Sequence, residues 1–247
     1  MSARCLRRVI LPFSTLCAIV IALYARKSRT SRLVFAGSAY GGWWYDATEL
    51  ASAPVVFSFG LGEDTSWDEA LVAKGATVYG FDPTPKSVAY VQQRAELHSR
   101  AGRFIHVAEG LSTTSGSTEF TLPRNQSHVS MRKGVHAGSG KILAFHVHDL
   151  RTFMKRFGLR CLDVLKIDIE LSEYDVLEQL IQQQYFPFAQ LLVEFHENAR
   201  GLYRLRYTRI LEELHRAGFA VVNNVHDREL TLKNVRSATA RASSCAQ

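Results

Sequence analysis

The sequence predicts an α/β fold built on a mostly parallel, doubly wound sheet. From Val55 onward, short apolar runs of strand length alternate with amphipathic stretches of helix length, the order that folds as successive βαβ units. The first run ends in two glycines one residue apart, Gly60 and Gly62. The next ends in an acid, Asp82, 20 residues after the second glycine. Strand, glycine turn, helix, strand and acid in that order mark the ligand-binding edge of an open parallel sheet.

Val55-Val56-Phe57-Ser58-Phe59 is too short for a helix and suits a buried strand. Ser66, with Glu69 three residues on, reads as a capping box opening a helix over 67–74, and Gly75 closes it. Thr77–Phe81 is the second strand. The unit predicts a site for an adenosine-containing cofactor, with Asp82 on a ribose hydroxyl. A dinucleotide turn calls for a third glycine where this chain has Thr65, and Glu63 and Asp64 stand where a pyrophosphate would approach. Two carboxylates repel a diphosphate and attract the cationic sulfonium and amine of S-adenosylmethionine. Gly60, Gly62, Glu63, Asp64 and Asp82 are therefore candidate cofactor residues.

Thr84 and Pro85 open a second helix running to about Arg100. Phe104–Glu109 is a third strand, and Glu109 reads either as the acceptor of the adenine amino group or as a solvated loop acid. Ser117–Leu122 alternates as a half-exposed strand. Residues 123–141 form a basic, glycine-containing loop that reads either as recognising an anionic or hydroxyl-rich acceptor or as a solvated surface loop, and they include the glycosylation sequon Asn125-Gln126-Ser127, meaningful only in a lumenal domain. Ile142–Val147 is a strand, and Asp149 caps the helix Leu150–Phe157. Val164–Glu170 is a core strand with Lys166, Asp168 and Glu170 on one side, and Ser172 caps the helix after it, which runs to about Gln184. Leu191–Glu197 is the fifth core strand, with Glu194 and His196 on a common face. The helix Tyr203–Ala217 and a closing hairpin of 220–223 with 230–232 complete the domain.

Hydrophobic content of 47% and charged content of 21% are ordinary for a globular protein. The net charge of +7 lies wholly in residues 1–32, which hold seven basic residues and no acid; the remainder has 23 basic and 23 acidic residues. That balance gives no support to a nucleic-acid footprint on the domain, and no nucleic-acid partner is expected. Val9–Ala25 is a 17-residue uncharged run flanked by basic residues, which predicts a single-pass membrane anchor, with the endoplasmic reticulum or Golgi as the expected location. The divisions are a leader over 1–32, a connector over 33–54, the domain over 55–233 and a disordered tail over 234–247. Tyr40-Gly41-Gly42-Trp43-Trp44-Tyr45 is read as packing the connector onto the domain edge, with stacking on an adenine or sugar as the alternative. No cysteine pair has metal spacing, no disulfide framework is indicated, and Cys161 reads as a small core hydrophobe.

Four stretches, taken in order, resemble the FkbM-type S-adenosylmethionine-dependent methyltransferases. They are Tyr40-Gly41-Gly42-Trp43, Ser58–Ser66, Phe81-Asp82-Pro83-Thr84-Pro85 and Leu165–Glu173. The resemblance spans about residues 40–232. It implies a Rossmann-like class I methyltransferase sheet with an antiparallel last strand, and O-methylation of a hydroxyl on a sugar or other small molecule. It also implies Gly60 and Gly62 at the methionine end of the cofactor, Asp82 on the ribose and Asp168 near the sulfonium. The chain departs from the pattern twice. Ser58 stands where many methyltransferases carry an acid, and Leu171 stands where the family usually has glycine.

The catalytic candidates are His196 or Asp168 as base, with Glu170 or Glu194 as orienter. No metal is expected; a cation holding a sugar diol is the alternative use of these acids. Two other functions compete: a membrane-tethered cofactor-binding module without catalysis, for which Leu171 speaks, and a nucleotide-dependent oxidoreductase, disfavoured by Thr65 and the acidic turn. The acceptor and the oligomeric state stay open.

Overall fold

The computed structural model describes residues 31–94, 103–121, 132–133, 142–198 and 201–235. In chain order its strands are β1 (Leu33–Ala36), β2 (Trp43–Asp46), β3 (Val55–Phe59), β4 (Thr77–Phe81), β5 (Phe104–Val107), β6 (Gly110–Leu111), β7 (Gly116–Thr121), β8 (Arg132–Lys133), β9 (Ile142–His148), β10 (Leu162–Ile167), β11 (Phe188–Glu194), β12 (Phe219–Val225) and β13 (Glu229–Asn234). The helices are α1 (Ser66–Ala73), α2 (Pro85–Gln93), α3 (Leu150–Arg156), α4 (Ser172–Gln182) and α5 (Gly201–Arg216).

Seven strands form the main sheet in the order β12-β13-β11-β10-β3-β4-β5. The pairs from β11 to β5 are parallel, and β13 lies antiparallel between β11 and β12. The sheet is therefore mostly parallel and doubly wound with an antiparallel last strand. Its order reverses between β3 and β10, the switch point where open α/β sheets bind ligands.

Period two sends alternate residues of each strand to opposite faces. Phe57, Phe59, Phe81, Leu165, Ile167 and Val193 enter one core with α3, α4 and α5, where Phe59 and Phe81 stack at 4.2 Å between ring centres. Val56, Val78, Val164 and Leu192 enter a second core with Trp67 and Leu71 of α1.

Ala36, Trp43 and Tyr45 join that second core, with Val34, Ala47 and Leu50 packed against it, so the aromatic stretch packs residues 33–54 onto the domain edge as expected. β1 and β2 pair as a hairpin, and Trp43 and Tyr45 are buried. The Gln190 side chain donates to the Asp46 carbonyl at 2.8 Å and accepts the Asp46 N–H at 2.8 Å. Lys233 Nζ donates to Asp46 Oδ2 at 2.9 Å in a buried ion pair. Burial pushes the Asp46 carboxyl up, but bonds from Thr48, Lys233 and the Arg32 N–H hold it down to about 2. A second sheet, β6-β9-β7-β8, stands apart from the first.

Three local expectations are revised. The Ser66–Glu69 capping box does not form: Asp64 Oδ1 accepts the Ser66 N–H at 2.8 Å, and Ser66 Oγ accepts the Ser38 N–H at 2.7 Å. Ser172 does not cap α4; Leu171 holds the N-cap position, in a left-handed conformation. Cys161 is disulfide-bonded and only half buried. Pro85 at the start of α2 and the Asp149 cap, accepting the Thr152 N–H at 2.7 Å, are as expected. The run 9–25, the sequon at Asn125, most of the basic loop 123–141, the predicted end of α2 and the tail from 236 lie outside the described residues. Among the described residues no helix is long and apolar enough to cross a membrane.

Candidate active site

A cavity of about 520 Å³ opens at the switch point, above the carboxyl ends of β3, β4, β10 and β11. Gly41, Gly42, Gly60, Gly62 and Gly110 all line it, so much of its wall is backbone. Gly60 has φ +81°, and a β-carbon there would stand 1.8 Å from the Asp168 carbonyl oxygen. Glycine is required at that crossing. Gly62 has φ +56° with no atom within 4 Å of where its β-carbon would be.

Asp82 is buried at the end of β4 and holds the glycine turn. Its Oδ2 accepts the N–H groups of Leu61 (3.1 Å) and Gly62 (2.9 Å). Its Oδ1 accepts the Thr84 N–H (2.9 Å) and hydroxyl (2.7 Å). Asp64 lines the cavity but is bound to the β1–β2 hairpin, accepting the Ser38 hydroxyl at 2.6 Å. Burial raises its carboxyl, and the Ser38 and Ser66 bonds bring it below the usual range. Glu63 and Glu109 do not line the cavity. Glu63 is half exposed, 3.9 Å from Lys86, and Glu109 is drawn away by Arg156 and by His148 at 3.5 Å.

The four catalytic candidates come together. His196 is buried, and its Nε2 lies 3.5 Å from Glu170, 3.7 Å from Glu194 and 3.8 Å from Asp168. Arg228 also pairs with Glu194. On its other side the ring meets Glu173, which is fully buried and absent from the sequence-based candidates. Glu173 Oε1 lies 3.2 Å from Nδ1 and accepts the His196 N–H at 2.8 Å. Burial disfavours the imidazolium, but the Glu173 bond and the charges of Glu173, Glu170 and Glu194 raise His196 to about 9. An imidazolium has no free lone pair with which to take a proton, so the raised value favours Asp168 over His196 of the two base candidates. Burial also raises Asp168 and Glu194 above the usual carboxylate range. Ligand atoms of Asp168, Glu194 and His196 lie within 4.8 Å of one another, close enough to hold one cation. Phe120 of β7 and Phe145 of β9 bring the second sheet to the cavity wall.

A doubly wound sheet with its antiparallel last strand, opened at the switch point over a glycine turn and an acid, defines a class I methyltransferase. The chain belongs to the FkbM methyltransferase family: the model of the methyltransferase FkbM domain matches residues 57–221. S-adenosylmethionine is the cofactor that goes with that membership. Over 201 residues the chain is 25% identical to proteins named probable methyltransferase-like protein 24 of Rattus norvegicus and of Homo sapiens, covering 77% of this chain. It spans about half, 48%, of the length of those curated relatives. Among solved structures it is similar to an FkbM methyltransferase from Methylobacillus flagellatus, with a TM-score of 0.48 at 13% identity, over 73% of this chain and 43% of that one. It is also similar to Aeropyrum pernix fibrillarin with bound S-adenosyl-L-methionine, with a TM-score of 0.39 at 11% identity, over 76% and 68% of the two chains.

Proposed function

We propose that this cavity carries out O-methylation of a hydroxyl on a sugar or other small molecule, with Asp168 as the base. The observation that carries the reading is the convergence of Asp168, Glu170, Glu194 and His196 at one edge of the cavity, beside the glycine turn. The glycine-walled cavity fits the cofactor in size, and its glycines admit close approach of a ligand to backbone. S-adenosylmethionine, when bound, supplies a methyl group activated on a sulfonium. Gly60, Gly62 and Asp82 would hold it. Asp168 is 32% exposed and raised above the usual carboxylate range, which brings it nearer the operating pH a base needs. It takes the acceptor's proton, and charged His196 fixes the direction of its carboxylate.

The test is tritium transfer from labelled cofactor to a panel of glycans and hydroxyl compounds. Asp168→Asn should lower turnover by about 10²–10⁴-fold. Turnover equal to wild type would remove Asp168 from the role.

A second reading is favoured by the 4.8 Å grouping of Asp168, Glu194 and His196. Two carboxylates and an imidazole suit a divalent cation that would bind adjacent acceptor hydroxyls. Under it, Mn²⁺ should bind one to one and Glu194→Gln should abolish binding; activity that survives chelation would reject it.

The same proposal attaches the chain to a membrane of the secretory pathway through residues 9–25. Supporting it are the uncharged run with its basic flanks, the sequon at Asn125, and the disulfide at Cys161, a bond typical of oxidising compartments.

A further inference from the structure

The wall of the cavity contains two further charged residues, Asp68 and Lys166, the second of which also neighbours Asp168. Asp68 sits in the first turn of α1, where an acid ordinarily faces solvent and favours the helix dipole. Here it is 2% exposed and lines the cavity. Its Oδ1 is buried and makes no well-formed hydrogen bond; the Lys166 charge and the nearby Ser58 hydroxyl of β3 favour the carboxylate against the burial that opposes it. Lys166, on β10 directly beside Ser58 in the sheet register, is the cationic counterpart. Its Nζ donates to the Gly60 carbonyl at 2.7 Å and stands 5.2 Å from the Trp43 ring centre. An ammonium has three donors, and Lys166 lines the same cavity.

A buried carboxylate with an unsatisfied oxygen is costly unless a donor reaches it. The fold nevertheless keeps this one, with a lysine of opposite charge alongside. A ligand carrying both an ammonium and a carboxylate would complete both residues.

We propose that Asp68 and Lys166 clamp the two charged ends of an α-amino acid, the ammonium at Asp68 and the carboxylate at Lys166. The inference rests on the cofactor reading, since the amino acid is then the methionine portion of S-adenosylmethionine. Ser58, on the strand beside Lys166, is the side chain nearest in position to take over from Asp68, since its hydroxyl acts on the Asp68 carboxyl.

The experiment is calorimetry on the full-length chain with four ligands: S-adenosylhomocysteine, its deaminated analogue, its decarboxylated analogue and 5′-methylthioadenosine. Wild type should prefer S-adenosylhomocysteine to either analogue by about 10–100-fold, the range for a charge-assisted bond. Asp68→Asn should reduce S-adenosylhomocysteine affinity by a similar factor and leave the deaminated analogue unchanged. Lys166→Met should do the converse with the decarboxylated analogue. Ser58→Asp added to Asp68→Asn should recover part of the loss. Equal weakening of all four ligands by Asp68→Asn would make the residue structural and overturn the proposal. Equal affinity of wild type for S-adenosylhomocysteine and the deaminated analogue would overturn it without recourse to any variant. Failure of wild type to bind both S-adenosylhomocysteine and methylthioadenosine would instead reject the cofactor reading.

Discussion

One oxygen of Glu173 holds His196 at two points, the backbone N–H at 2.8 Å and the ring Nδ1 at 3.2 Å. The contact turns Nε2 toward Asp168, Glu170 and Glu194. It also keeps the imidazolium, raised to about 9 against the burial that opposes it. A raised folded-state value means that the stabilisation is complete below the unfolded value of about 6.5 and is lost as pH rises through about 9. In chelator-treated protein, NMR titration should find His196 charged at pH 7, and Glu173→Gln should lower its midpoint and flatten stability between those limits. An unmoved midpoint would assign the shift to the other carboxylates.

Gly60 and Gly62 should respond differently to the same substitution. Gly62→Ala meets no atom and adds only the left-handed strain of an L-residue, about 1–2 kcal/mol. Gly60→Ala adds a main-chain collision with Asp168. Its unfolding midpoint should fall well below that of Gly62→Ala, and S-adenosylhomocysteine binding should be lost. Equal midpoints would mean that β3 and β10 can separate at no cost.

The buried pair Asp46–Lys233 joins positions 187 residues apart. Asp46→Ala leaves an uncompensated buried ammonium and should cost about 3–5 kcal/mol in denaturant unfolding. The depressed Asp46 carboxyl predicts stability that is whole above about pH 3.8 and lost as pH falls through about 2. The variant should lack that part of the acid transition.

Asp82→Ala removes the acceptor from the Leu61 and Gly62 amides. Hydrogen exchange at those two amides should accelerate, and S-adenosylhomocysteine should bind more weakly by about 1–3 kcal/mol. Faster exchange with unchanged affinity would confine Asp82 to shaping the turn.

Carbonate extraction should leave the full-length chain in the membrane fraction. A lumenal domain should show a glycosidase-sensitive mass shift that disappears in Asn125→Gln. Release by carbonate would contradict the anchor.

Elements governed by local pattern were legible in the sequence. The runs ending at Phe59 and Phe81 became central strands, the run read as Val164–Glu170 became one that stops at Ile167, and Asp82 and Asp168 fell at the cavity because strand ends collect there. Leu171 was conspicuous against glycine, and its φ is +73°. Features that depend on distant pairing were not legible. Nothing near Asp46 announces Lys233, so residues 33–54 looked like a connector. Glu173 reads as an ordinary first-turn acid until a strand 23 residues later brings His196 to it. The strand read as Phe104–Glu109 stops at Val107, and the Glu109 side chain was captured by Arg156 on a helix whose position the local pattern does not specify.

The turn between β10 and α4 holds Glu170 and Leu171 in succession at φ +49° and +73°, each a conformation costing about 1–3 kcal/mol outside glycine. Leu171 is kept there by packing against the core that contains Tyr174, Leu177 and Phe195. The turn is therefore a loaded spring whose latch lies in the hydrophobic interior behind the cavity wall. Truncating those interior side chains would let the turn relax and carry Glu170 away from His196. If the proposed methyl transfer holds, mutational tolerance of catalysis should accordingly be narrower than tolerance of folding, with a class of interior variants that remain folded and lose turnover.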